Sequence, residues 1–136
     1  MDMTEPESRK TFLVVDDSKV IRSIAHGVLS DLGFAVDEAD NGAHALGACQ
    51  KVLPDAILLD WNMPVMDGLT FLKALRSMPG GTAPMVIFCT TDGESSSIQT
   101  ALECGADEYI MKPFTPDIIR DKLESVGLIQ RTDDGI

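Results

Sequence analysis

Four short apolar runs along the chain each stop at a group able to do chemistry. Phe12-Leu13-Val14-Val15 ends at Asp16-Asp17, Ala56-Ile57-Leu58-Leu59 at Asp60, Val86-Ile87-Phe88-Cys89 at Thr90-Thr91, and Tyr109-Ile110-Met111 at Lys112-Pro113. Unbroken apolar runs of this length predict strands buried on both faces. Between them the apolar spacing changes to the helical period. Val20, Ile21, Ile24, Val28, Leu29 and Leu32 predict the inner face of a first helix, which Gly33 stops. A second strand is predicted over 35–39, and Asn41-Gly42 leads into a helix over 43–52. After the third strand come helices over 68–77, closed by Pro79-Gly80-Gly81, and over 93–104, with Ile98, Ala101 and Leu102 turned inward and Gly105 past its end. Thr115-Pro116-Asp117 supplies the N-cap, first position and acidic first turn of a last helix burying Ile118, Ile119, Leu123 and Val126.

Strands and helices therefore alternate five times, the order that builds βαβ units and a parallel α/β sheet. Right-handed crossovers put helices on both faces. In such a sheet every strand's carboxyl end lies on one edge, so Asp16, Asp17, Asp60, Thr90 and Lys112 converge there despite their separation in sequence.

The 136 residues suit one domain, expected over residues 10–128, with disordered tails over 1–9 and 129–136 and no room for a further module. Asp and Glu number 22 against 11 Lys and Arg, for a net charge of −11, and the five arginines are scattered. This argues against nucleic acid or an anionic membrane as partner. Cys49, Cys89 and Cys104 lie among apolar neighbours without metal-ligand spacing, so three buried thiols are expected rather than a disulfide framework. No apolar run is long enough to span a bilayer and the N-terminus carries no apolar leader, so a cytoplasmic protein is expected.

Three converging carboxylates raise one another's pKa or call in a cation. With no His or Cys beside them, a hard oxygen-seeking ion, Mg²⁺, fits better than zinc. Lys112 could balance remaining charge and Thr90 could donate a hydrogen bond, an arrangement suited to phosphoryl transfer onto a carboxylate. Asp60, alone at a central strand end, is the best nucleophile.

Jointly, the Asp16-Asp17 pair, the segment Asp60-Trp61-Asn62-Met63-Pro64-Val65-Met66-Asp67-Gly68, the Thr90 strand end and Lys112-Pro113-Phe114 resemble the receiver domain of two-component response regulators, of the CheY-like single-domain type. The resemblance implies a flavodoxin-like doubly wound sheet in the order 2-1-3-4-5. It implies that Asp60 accepts a phosphoryl group from a histidine kinase or phosphotransfer protein. Mg²⁺ would be held by Asp16, Asp17, Asp60 and the backbone carbonyl of Asn62. Lys112, aimed by a cis peptide before Pro113, would contact the acyl phosphate, and Thr90 and Tyr109 would form the switch pair. The signal would leave through the fourth helix, fifth strand and fifth helix to a downstream protein, from a monomer whose only activity is slow self-phosphorylation and self-dephosphorylation. Chemotaxis is the implied process, with a developmental or stress phosphorelay or a phosphate sink as alternatives.

Taken singly, each residue has a plainer reading. An Asp-Asp pair is usually a solvated turn or helix cap, Thr90 and Tyr109 are good strand formers, and Lys19 and Arg22 read as a solvated face, with modest tuning of the acidic pocket as the alternative. His26 and His44 read as surface or structural, and Met63 and Met66 as cover for the loop beside the site. Ser95, Ser96 and Ser97 should weaken the first turn of their helix and make it easy to remodel. Asn62 and Asp92 occupy positions that in receivers influence dephosphorylation. Thr91, where receivers often carry alanine, should narrow access to Asp60. An Mg²⁺-dependent aspartate-nucleophile phosphohydrolase is disfavoured because the first strand ends in adjacent aspartates rather than DxD. A flavin carrier is disfavoured because Asp16-Asp17 would repel a phosphate. A cyclic-dinucleotide receiver finds no arginine-rich run to support it.

Overall fold

The computed structural model describes residues 9–91 and 95–130; Asp92, Gly93 and most of both expected tails lie outside the described residues. Ten elements alternate: β1 (Thr11–Val15), α1 (Lys19–Asp31), β2 (Ala35–Ala39), α2 (Gly42–Lys51), β3 (Ala56–Asp60), α3 (Gly68–Ser77), β4 (Met85–Thr90), α4 (Ser95–Glu103), β5 (Glu108–Met111) and α5 (Pro116–Ser125). The strands form one parallel sheet in the order β2-β1-β3-β4-β5. Reversal of direction on either side of β1 and β3 opens a crevice at the carboxyl edge, where such sheets place their sites.

Strand residues alternate between two apolar layers. Leu13, Val15, Ile57, Leu59, Val86 and Phe88 meet Ala45 and Cys49 of α2, Phe71, Leu72 and Leu75 of α3, and Ala101 of α4. Phe12, Val14, Leu58, Ile87, Cys89 and Ile110 meet Ala25 and Leu29 of α1 and Ile119 and Leu123 of α5. Central β3 is buried along its whole length, Asp60 included. Truncating a fully buried residue here, such as Leu59, to alanine should cost roughly 2–5 kcal/mol.

The helical faces are narrower than the apolar spacing predicts. Val20 is 68% exposed and Ile24 45%, while Ala25 and Leu29 carry the burial of α1. Leu102 and Ile118 are likewise exposed, beside fully buried Ala101 and Ile119. The reason is angular: neighbouring positions differ by about 100° around a helix, and a helix lying on a flat sheet buries only a stripe of residues three and four apart. Of the three cysteines, Cys49 and Cys89 are buried and Cys104 is only partly so.

Candidate functional site

Helices in this fold run back against the strands, so their N-termini gather at the sheet's carboxyl edge. Four of them are capped by side chains: Ser18 accepts from the Ile21 amide, Asn41 from His44, Asp67 from Thr70 and Thr115 from Ile118. Each cap satisfies an otherwise unpaired amide. The loop leaving β3 is pinned by close backbone approach. A Cβ on Gly68 would sit 2.4 Å from the Asp60 carbonyl oxygen, and one on Gly42 would sit 2.6 Å from that of Met66, which accepts the Gly42 amide at 3.0 Å. Val65, in the same loop, holds a left-handed φ of 70° and is exposed. Trp61, Met63 and Met66 pack against the core beneath the loop.

Within this frame Asp16, Asp17 and Asp60 bring carboxylate oxygens to within 4.8 Å of one another. Asp16 and Asp60 are buried, whereas Asp17 is exposed. Lys112 Nζ donates to Asp16 Oδ2 at 2.7 Å and to Asp60 Oδ1 at 3.0 Å. The Lys112-Pro113 peptide is cis. Asp16 is held from three further sides: its amide donates to the Ala39 carbonyl at 3.1 Å, its Oδ1 accepts the Ser18 amide at 2.9 Å, and its own carbonyl accepts Arg22 Nη1 at 2.7 Å.

Burial pushes the Asp60 carboxyl up to about 6, and the neighbouring charges of Asp16 and Asp17 add to this while Lys112 opposes it. For Lys112 burial works against the charge, but the bonds to Asp16 and Asp60 prevail and hold the ammonium above its ordinary value. Three carboxylates around one ammonium leave two negative charges in excess, and the donor set is all oxygen. This is the chemistry of a hard divalent cation site.

Thr90 is buried at the end of β4, and its carbonyl accepts the Lys112 amide at 2.9 Å. Tyr109 pairs in register with Phe88, so Tyr109 and Thr90 lie diagonally on the same face of the sheet. Phe88 stands between two aromatic neighbours, Trp61 at 5.4 Å and Tyr109 at 5.9 Å between ring centroids, and Lys122 Nζ lies 5.1 Å from the Tyr109 ring. Asn62 sits two residues past Asp60 in the exposed loop, and Thr91 is exposed at the rim.

Among the described residues the edge brings Asp16, Asp17, Asp60 and Lys112 together, with Thr90 at the end of the neighbouring strand; Asp92 lies outside the described residues. One expectation is corrected. Arg22 is not part of a solvated face: its side chain is only 15% exposed, turned onto the Asp16 carbonyl and Glu38. The signal that could have found it is the acidic Glu38 near the end of β2, beside the end of β1. Lys19 is exposed as expected. His26 and His44 are near-surface residues paired with Glu38 and Asp40.

A doubly wound sheet with an acidic cluster and a lysine at its switch point defines a class, and the comparisons identify it. Residues 12–124 match the family model of the response regulator receiver domain, and the chain belongs to that family. It is 41% identical over 116 residues to the chemotaxis protein CheY1 of Helicobacter pylori, covering 84% of this chain and 94% of that protein. It is 40% identical to the chemotaxis protein CheY homolog of Campylobacter jejuni, covering 84% and 89%. Among solved structures it resembles CheY4 of Vibrio cholerae with a TM-score of 0.83 at 34% identity, over 88% of this chain and 99% of that one. A two-component response regulator from Clostridium difficile aligns with a TM-score of 0.81 at 27% identity, over 91% and 100%. The chain is thus a receiver closely resembling CheY chemotaxis proteins. Among the described residues no helix is long and apolar enough to cross a membrane.

Proposed function

We propose that this chain is a cytoplasmic single-domain response regulator that accepts a phosphoryl group on Asp60 from the phosphohistidine of a histidine kinase or phosphotransfer protein. The observation that carries the reading is Lys112 Nζ bridging Asp16 and Asp60 inside a cluster with two negative charges in excess. An Asp60 oxygen forms the new O–P bond as the donor's N–P bond breaks, and the imidazole leaves with its electron pair. A carboxyl titrating near pH 6 is mostly an anion at pH 7, yet its burial keeps it poorly solvated and so reactive.

Asp16, Asp17, Asp60 and the Asn62 carbonyl would hold Mg²⁺, which supplies charge neutralisation for the incoming phosphoryl oxygens. Lys112 donates to one of those oxygens and the Thr90 hydroxyl to another. The helix N-termini at this edge add a favourable field for the anion. Product formation draws Thr90 toward the phosphoryl group and changes the space open to Tyr109. That shifts the surface of α4, β5 and α5, which a downstream protein reads. The chain works as a monomer and is not an enzyme, turning over only its own acyl phosphate slowly. The names of the CheY relatives favour chemotaxis as the process.

The test follows the fluorescence of Trp61, the sole tryptophan, during addition of Mg²⁺ and then beryllofluoride, an acyl-phosphate mimic. Both should change it in the parent protein, and Asp60→Asn should abolish the beryllofluoride response. A parent protein silent to both ligands would overturn the reading.

A further inference from the structure

Arg22 takes no part in the chemistry above, yet it is one of the most constrained cations in the molecule. Its Nη1 donates to the Asp16 carbonyl at 2.7 Å, and its Nε donates to Glu38 Oε1 at 3.0 Å. The second oxygen of Glu38 is 2.7 Å from His26 Nδ1. Burial alone would raise the Glu38 pKa, but the bonds from Arg22 and His26 outweigh it and lower the value. A continuous chain of polar contacts thus runs from His26 through Glu38 and Arg22 to the peptide that joins Asp16 to Asp17.

That peptide is a demanding place. It lies in the bend between the end of β1 and the Ser18 cap, and it must direct a buried and an exposed carboxylate toward the same point. A carbonyl held by a guanidinium cannot rotate freely, and a planar fork fixed by Glu38 holds it in one direction. We infer that Arg22, oriented by Glu38, is a positioning residue that sets the Asp16-Asp17 peptide so that both carboxylates face a divalent cation. The inference rests on the reading of Asp16, Asp17 and Asp60 as a Mg²⁺ site.

Charge and geometry predict opposite signs, which makes the role testable. Acting only through its charge, Arg22 would repel Mg²⁺, so Arg22→Met would tighten binding and Arg22→Lys would leave it unchanged. Acting as a clamp, it aids binding, and neither Met nor Lys can span the carbonyl and Glu38 together. The experiment titrates the full chain with MgCl₂, reads Trp61 fluorescence, and records thermal melting without Mg²⁺ for the parent, Arg22→Met, Arg22→Lys, Glu38→Ala and the Arg22→Met/Glu38→Ala double variant.

The expected result is a Mg²⁺ dissociation constant raised about fivefold in both Arg22 variants and about twofold in Glu38→Ala, with the double variant no worse than Arg22→Met alone. Tighter binding in Arg22→Met, or a lowered melting temperature with unchanged Mg²⁺ affinity, overturns the inference while the Mg²⁺ site stands. Additive losses in the double variant overturn the part assigned to Glu38. Should Arg22→Met fail to fold, Arg22→Lys and Glu38→Ala decide by the same criteria. A parent protein blind to Mg²⁺ removes the site itself and the inference with it.

Discussion

The two edges of the sheet use the same residue types to opposite ends. At the amino edge, Arg76 donates to the carbonyls of Gly105, Gly81 and Pro84 at 2.7–3.0 Å and reaches Asp107 at 3.2 Å, while Asp107 also accepts the Val86 amide at 2.8 Å. Asp55 and Thr11 bond reciprocally: the carboxylate accepts the Thr11 amide at 2.8 Å and the Thr11 hydroxyl accepts the Asp55 amide at 3.0 Å. Charge there is absorbed by backbone groups. At the carboxyl edge two buried aspartates share one lysine, and a third carboxylate stands beside them. Saturated polar groups tie loops together, whereas an unbalanced cluster keeps an affinity for something from solution. The first edge is built for stability, and the second sacrifices some of it for binding.

The largest test of that division is Arg76→Ala. Three carbonyls and Asp107 lose a donor, so unfolding stability should drop by roughly 3 kcal/mol in a denaturant titration. The Trp61 response to Mg²⁺ should survive in the folded fraction, and its loss would break the division between the edges.

Asp60→Asn should move stability the other way. Between about pH 4 and 6 the folded chain keeps a proton on Asp60 that the unfolded chain has released, so stability falls as pH rises through this window. Asparagine removes the titration. In metal-free buffer at pH 7 the variant should be more stable by roughly 1–3 kcal/mol, after allowance for solvent screening, with the gain vanishing near pH 4. Parallel melting curves for parent and variant at both pH values would refute this.

Smaller effects sharpen the comparison. Asp67→Ala removes the cap of α3 and should cost about 1 kcal/mol in thermal or chemical unfolding. Thr91→Ala should speed phosphorylation by acetyl phosphate severalfold, about 1 kcal/mol in barrier, by opening the rim above Asp60. An unchanged rate would mean that Thr91 does not limit access.

The carboxyl edge was legible because parallel topology makes it so. Once apolar runs ending in Asp16-Asp17, Asp60, Thr90 and Lys112 are read as parallel strands, their convergence needs no side-chain detail, and the strand order and element order agree with that reading. Helix faces were less legible, as Val20, Ile24, Leu102 and Ile118 show, because apolar spacing does not say how wide a stripe the sheet will cover. Arg22 is not legible from the sequence, since a cation in the first turns of a helix is ordinarily a surface residue. Its partners are a carbonyl at the end of β1 and a carboxylate on the next strand.

The sequence by itself determined the alternation of strands and helices, the Thr115 cap of the last helix, and which chemical groups end each strand, because these depend on local period and on residue type. Only the tertiary structure decided how the charge is shared. It assigned Lys112 to two aspartates at once, raised the Asp60 carboxyl by burial, and bound Arg22 to the Asp16 carbonyl. The physical reason is that electrostatic interaction depends on distance and on exclusion of water, and both are set by the packing of segments far apart along the chain.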